Sequence, residues 1–185
     1  MRLFRWAVAG TISTLAVTGC ATMNVSSHVR SGVDFTQYRT YDWGPADALP
    51  TGDPRLDKDP FFQDHMQGAV EKQMAAKGFE RAAAGTPDLL IHYHANITQR
   101  IDIAAADRDR GYCYEDDCQA GVIEYEAGTI VLDFVDTRTS KVIWRGWAQD
   151  SLEGVLDNKD RMERKITEAV SRMLARLPRS LESRP

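Results

Sequence analysis

The chain has 185 residues, of which 43% are hydrophobic and 27% are charged, and its formal net charge at pH 7 is −4. This length suits one domain with a hydrophobic core of its own. The acidic balance leaves no basic surface that could neutralise phosphates, so we predict no nucleic-acid partner.

The first residues have the three parts of a secretory signal peptide. Arg2 and Arg5 form a basic start, and the run from Trp6 to Val17 is apolar but too short to remain in a bilayer as a spanning helix. Small residues follow. We therefore expect residues 1–19 to be removed on export, and the mature chain to be more acidic because both arginines are lost.

The end of this segment, Val17-Thr18-Gly19-Cys20, resembles the lipobox of bacterial lipoproteins. The resemblance implies that Cys20 receives a diacylglyceryl group on its sulfur, becomes the new N-terminus and is then N-acylated. Ala21 replaces the Asp that usually retains lipoproteins in the inner membrane, which implies transport to the outer membrane. We predict attachment to the periplasmic face of that membrane through the Cys20 lipid; the alternative is an ordinary signal peptide with Cys20 incidental.

The mature chain begins with extended structure and continues into a helix. Alternation of Val25 and Val29 with polar residues predicts a first strand within the anchored segment 20–33, and the aromatic residues of 34–43 predict a second. Residues 44–59 have the composition of a loop. A helix is predicted from Phe61 to Lys77, capped by Asp59 and ended by Gly78, with an apolar stripe at positions four apart: Phe62, Met66, Val70 and Met74.

The second half alternates as strands do and ends in another helix. Residues 88–103 form the longest predicted strand, 104–127 a connection or protruding hairpin, and 128–136 with 141–151 a β-hairpin. In its second arm we place Val142, Trp144, Gly146 and Ala148 on one face. Asp157 is predicted to cap a helix over 158–177 whose stripe is Met162, Ile166, Val170, Met173, Leu174 and Leu177.

These elements predict an α+β fold, a mainly antiparallel sheet of about five or six strands with two amphipathic helices packed on one face. We expect one domain over residues 34–178 and a short polar tail over 179–185.

Cys113 and Cys118 remain as a pair once Cys20 is committed to lipid. An oxidising periplasm favours a disulfide between them, which would staple a small loop; a metal site using both sulfurs is the alternative.

His92 and His94 have the spacing of a ligand pair, because residues two apart on a strand point the same way. A zinc site would need a third ligand, for which Asp102, Asp107, Glu115, Asp116 and His28 are candidates. The plainer interpretation is two imidazoles on a solvated sheet face. We find no catalytic motif and predict no cofactor.

Several blocks occur in order along the chain: Asp34-Phe35, Tyr38-Arg39-Thr40-Tyr41-Asp42-Trp43, Lys77-Gly78-Phe79, Pro87-Asp88-Leu89-Leu90, Gly128-Thr129-Ile130 and Trp144-Arg145-Gly146-Trp147-Ala148. Together they resemble the bacterial lipoprotein family called domain of unknown function 4136, over about residues 25–177. The resemblance implies an exported, lipid-anchored α+β domain of the bacterial envelope. It implies no activity and no catalytic residues.

Trp144 and Trp147, three apart on a strand, are expected on opposite faces, one in the core and the other half-exposed. Their aromatic hairpin is a candidate contact surface. We therefore expect a non-enzymatic accessory that binds or assembles an unidentified envelope protein or ligand. The alternatives are a periplasmic metal-dependent hydrolase using His92 and His94, and a carrier of a small ligand or lipid in a pocket between sheet and helices.

Overall fold

The computed structural model describes residues 23–45, 52–57, 59–102 and 123–178. Within these ranges, six strands form one sheet in the order β1-β6-β5-β4-β2-β3. The strands are β1 Asn24–Val29, β2 Thr40–Trp43, β3 Glu80–Arg81, β4 Leu89–Asp102, β5 Ile123–Asp136 and β6 Lys141–Ser151. β2 pairs parallel with β3 and β4, while the other pairs are antiparallel, so the sheet is mixed but mainly antiparallel as predicted.

Three α-helices in the described part of the chain accompany the sheet: α1 Pro54–Asp57, α2 Pro60–Ala76 and α3 Lys159–Leu174. The side chain of Asp59 accepts a 3.0 Å hydrogen bond from the amide of Phe61 at the start of α2, which confirms the predicted cap. Gly78 has φ +82° just beyond the end of α2, where a residue with a Cβ would be strained. Within the described residues, no helix is both long and apolar enough to cross a membrane.

α2 and α3 lie against the same face of the sheet and bury the predicted stripes. All four predicted residues of α2 and all six of the last helix segment are buried. They meet the inward side chains of the strands, among them Leu89, Ile91, Leu132 and Phe134. The predicted α+β architecture is confirmed.

A β-bulge in the β5–β6 hairpin changes which residues of β6 enter the core. Phe134 pairs with Trp144 and Val135 with Val142, so Ile143 is an extra residue on β6. Ile143 is buried at 3% exposure and Val142 is 37% exposed. The prediction that Val142 shares the inner face with Trp144 is therefore wrong, because simple alternation fails where the strand carries an unpaired residue.

Several elements also differ from the prediction. Of the predicted second strand over 34–43, only Thr40–Trp43 is a strand, because Asp34 caps a turn of 3-10 helix at Phe35–Gln37. Asn158, not Asp157, caps α3, and its side chain accepts a 2.9 Å hydrogen bond from the amide of Arg161. The predicted loop over 44–59 contains α1. β5 begins at Ile123, so residues 123–127 extend the strand instead of belonging to a connection.

Candidate functional site

The face of the sheet opposite the helices is the main polar surface that the strands assemble. Register aligns one row of residues across it: His92 pairs with Asp133, Asp133 with Arg145, and Arg145 with His28. Four strands thus contribute one residue each, in the order β4, β5, β6, β1. We refer to this row, His92–Asp133–Arg145–His28, as the polar row.

An ion pair lies at the centre of the polar row. The guanidinium of Arg145 donates from Nε to Oδ1 and from a terminal nitrogen to Oδ2 of Asp133, both at 2.6 Å. Asp133 is only 3% exposed, whereas the Arg145 side chain is 54% exposed. These hydrogen bonds raise the pKa of Arg145. Because both carboxylate oxygens are taken by one guanidinium, Asp133 has little capacity to act as a base or a metal ligand.

His92 is held at the β2 side of the row. A Cβ built on Gly44 would lie 1.9 Å from Cε1 of His92, so the imidazole fills the space that only a glycine leaves. Burial lowers the pKa of His92, and nearby His94 lowers it further, against the opposing effect of the Asp133 carboxylate. The structure thus favours a neutral, packed imidazole at this position.

A second row lies beside the first, where His94 pairs with Val131, Val131 with Trp147, and Trp147 with Ser26. Trp147 is half-buried there. Trp144 lies on the other face, wholly buried, with its ring centroid 4.9 Å from that of Phe134. The two tryptophans lie on opposite faces as predicted. Because Trp144 is buried, only Trp147 can belong to the predicted contact surface.

His92 and His94 lack a third metal ligand within the part of the chain that the structure describes. His28 is three strands away from His92, about 14 Å at the usual strand spacing. The side chain of Asp102, and all of Asp107, Glu115 and Asp116, lie outside what is described. No described geometry supports the hydrolase hypothesis.

The sequence blocks around residues 38–40 and 87–88 form a polar cluster that joins loops at one end of the sheet. Oδ2 of Asp88 accepts hydrogen bonds from the amides of Arg39 and Thr40, at 2.9 and 3.0 Å, and from the Thr40 hydroxyl at 3.1 Å. The hydroxyl of Thr137 donates to the carbonyl of Pro87 at 2.6 Å. These residues therefore hold the loops at this end of the sheet together, and their role in the described structure is structural.

A partly open apolar cavity of about 60 Å³ lies between the sheet and the helices. Met23, Leu56, Phe62 and Met162 line it, and the ion pair between Lys165 and Asp150 borders it. Sites for small molecules are usually about 300–1,000 Å³. The cavity is too small to support the carrier hypothesis as it stands.

The lipidation site and the cysteine pair lie outside the described residues. Cys20, Cys113 and Cys118 therefore remain predictions, as do the signal segment 1–19 and the tail 179–185.

A family model described as "Domain of unknown function (DUF4136)" matches residues 25–179. A solved DUF4136 family protein from Bacteroides thetaiotaomicron is 12% identical with a TM-score of 0.53; the match covers 85% of this chain and 97% of that one. A PDZ domain protein from Parabacteroides distasonis is 17% identical with a TM-score of 0.51, over 88% of this chain and 37% of that one. No curated protein matches. At these identities the structural likenesses establish the fold alone.

Proposed function

This chain belongs to the family called domain of unknown function 4136, and from that premise we propose that it is a lipid-anchored, non-enzymatic accessory of the bacterial envelope. It faces the periplasm from the outer membrane and binds or helps to assemble another envelope component. The attachment is the acylated Cys20, and the contact surface is the helix-free face around Trp147.

The anchor is supported by the N-terminal pattern and by how soon the fold begins after it. Met23 is buried at 4% exposure and β1 starts at Asn24. Three residues span at most about 11 Å, so a lipid on Cys20 would hold the domain directly at the bilayer surface. Several acyl chains bind a membrane firmly where one binds marginally.

The single observation that supports the binding role is that the side chains of the polar row already have partners within the fold. Asp133 and Arg145 form an ion pair with each other, and His92 packs against Gly44. We infer that these groups have a structural role and not a catalytic one. Beside them Trp147 offers an aromatic surface that no described helix covers. A half-buried tryptophan next to paired charges is a common composition for a protein contact.

The anchor is tested by expressing the full chain in a bacterial envelope and separating membranes from the soluble periplasm. Cys20→Ala should leave an uncleaved precursor that lacks the lipid mass. Globomycin, which blocks only the cleavage, should leave an uncleaved precursor that keeps its diacylglyceryl group. Cys113→Ala is the matched control and should be processed and lipidated as the wild type is. Normal processing and lipid mass of the Cys20→Ala variant would overturn the proposal.

The contact surface is tested by photo-crosslinking in the native envelope. A benzophenone amino acid in place of His94, on the same row as Trp147, should give a discrete adduct that Trp147→Asp removes. The same group in place of Arg172, exposed on α3, is the control. Equal adduct patterns at the two positions, or an adduct that survives Trp147→Asp, would contradict a role for this face.

A further inference from the structure

β1 forms one edge of the sheet, and the backbone on its outer side is unpaired. The amide of Arg30 donates to the carbonyl of Ile143 at 2.9 Å, and β1 continues along β6 in that register. Successive residues of a strand direct their amides and carbonyls to opposite sides. Those of Val25, Ser27 and Val29 therefore point away from β6, where no described residue bonds to them.

The two edges of the sheet differ in how well they resist pairing with another chain. β3, the opposite edge, consists of Glu80 and Arg81 alone, both charged and exposed. Short, charged edge strands are a usual protection against edge-to-edge association. β1 has six residues, and none of them is Lys, Arg, Asp, Glu or Pro. The next residue, Arg30, donates from Nε to the carbonyl of Val142 at 3.3 Å, so its charge is turned back onto its own chain.

The sequence of β1 is complementary to itself in an antiparallel pair. A two-fold axis at Ser27 places Ser27 opposite its own copy and Val25 opposite Val29, so that each outward amide meets an outward carbonyl. Val29 is 36% exposed, whereas Val25 belongs to the core, and the pairing would cover the one with the other. On the other face Ser26 comes opposite His28, so no charges of like sign are opposed.

We propose that β1 is the interface of a symmetric dimer, in which the β1 strands of two copies of this chain pair antiparallel about Ser27. Backbone hydrogen bonds supply the affinity, and the pairing of Val25 with Val29 fixes the register. A second copy fits this edge because the same six residues satisfy both sides of the pair. The joined sheet then ends at β3 on both sides, so the assembly closes at two copies.

The dimer does not require the proposed anchor, but it restricts how anchored domains can lie. The two β1 strands point in opposite directions, so a lipid on each Cys20 reaches one membrane only if the strands run along its surface. The two-fold axis is then normal to the membrane. Both Trp147 surfaces lie on one side of the joined sheet, where they can meet an envelope partner together when that side faces the periplasm.

The first test is oxidative crosslinking of the full chain in bacterial membranes, with a cysteine in place of Ser27. Opposite residues that exchange hydrogen bonds in an antiparallel pair have Cα atoms about 5.5 Å apart, within the range of a disulfide. Ser27→Cys should give a covalent dimer several-fold more abundant than that of Glu80→Cys, exposed on the other edge. The wild type measures any link made by the native cysteines.

Two results of the crosslinking would overturn the proposal. One is an equal yield of dimer at positions 27 and 80, which would mean random collision in the membrane. The other is an adduct of Ser27→Cys with a different protein in place of a second copy.

The second test measures the mass of the full chain in detergent by light scattering, which should be twice that of one chain. Ser27→Pro removes an outward amide and leaves the bonds to β6 in place, so it should be folded by circular dichroism and monomeric. Arg81→Pro is the matched control. Its amide also points outward, since the amides of Glu80 and Ala82 donate to β2, and it should remain dimeric. A monomeric wild type, or a dimeric Ser27→Pro, would contradict pairing through β1.

Discussion

The phenol of Tyr38 donates a 2.9 Å hydrogen bond to Oδ2 of Asp136, joining residues 98 positions apart in the chain. Both are almost fully buried, at 2% and 4% exposure. Oδ1 of Asp136 accepts a second bond from the amide of Arg138 at 2.8 Å, and the Arg138 guanidinium lies 5.6 Å from the centre of the Tyr38 ring. A buried carboxylate is tolerated here because its donors are already in place.

Tyr38→Phe should therefore destabilise the domain by about 1.5–3 kcal/mol, the usual contribution of a hydrogen bond to a charged group. Unfolding in urea measures the change. Tyr41→Phe is the matched control, since Tyr41 is also buried but its hydroxyl has no hydrogen-bond partner among the described residues. Similar losses for the two variants would show that the bond to Asp136 does not stabilise the fold.

Low pH should reduce the contribution of buried and hydrogen-bonded carboxylates to the stability of the fold. Burial acts to raise the pKa of Asp136, but hydrogen bonds from Arg138 and Tyr38 outweigh it and leave the pKa below its usual value. The pKa of Asp88 is lowered in the same way, against burial, by the amides of Arg39 and Thr40. A carboxyl with a lowered folded pKa stabilises the fold above its unfolded pKa, about 4, and that contribution is lost as pH falls toward the folded value.

We accordingly expect the unfolding free energy to decline below about pH 4. Asp136→Asn should be less stable than the wild type at pH 7 and should show a shallower decline in acid. Urea titrations at a series of pH values measure both effects. Parallel pH profiles for the two proteins would exclude Asp136 as a source of the acid sensitivity.

The helices were predictable because their signals are local. The stripes of α2 and α3 recur every three or four residues, and Asp59-Pro60 and Gly78 mark ends that depend on nearby backbone alone. The bulge at Ile143 was not predictable, since an extra residue is defined only by the partner strand. The choice between Asp157 and Asn158 as cap also needed the structure, because both side chains can accept the same hydrogen bond.

The polar row depends on strand order, which the sequence does not state. Asp133 and Arg145 face each other across the predicted hairpin, so alternation could have suggested their pairing. His28 joins them only because β1 pairs with β6, and His92 only because β4 pairs with β5. The sequence indicated His92 and His94 as a ligand pair. In the structure His92 is instead paired with Asp133 across the strands and packs against Gly44.

Gly146 tests how closely the core packs around Trp144. A Cβ at this position would lie 2.3 Å from a carbon of the Trp144 ring, in a buried strand with little room to adjust. Gly146→Ala should cost about 1–3 kcal/mol, as overpacked core positions do. Thermal or urea unfolding measures the loss.

The control for Gly146 is Gly68, an exposed glycine of α2 whose added Cβ would meet nothing within 4 Å. Gly68→Ala should stabilise the domain by about 0.5–1 kcal/mol, because alanine is the better helix former. The two Gly→Ala substitutions should therefore change the free energy of unfolding in opposite directions. A neutral Gly146→Ala would mean that Trp144 is free to move.

The imidazole of His92 should be neutral in the folded protein at pH 7. Burial lowers its pKa first, with a smaller contribution from His94, while Asp133 acts in the opposite direction. A lowered pKa of a base means that the unfolded chain takes up the proton first, so stability should fall as pH drops below about 6.5. His92→Gln should remove this part of the pH dependence, measured by urea unfolding between pH 7 and pH 5.

Titration of the His92 ring by NMR measures the same property directly. We expect a midpoint below the usual value for histidine, and a lower one still in Asp133→Asn, because that variant removes the carboxylate that favours the charged ring. Asp133→Asn also removes the ion pair with Arg145. The His92 titration in this variant must therefore be measured over the pH range in which the protein is still folded. A midpoint for wild-type His92 at or above about 6.5 would show that the ring is solvated, and the polar row would then be open to a protonated histidine.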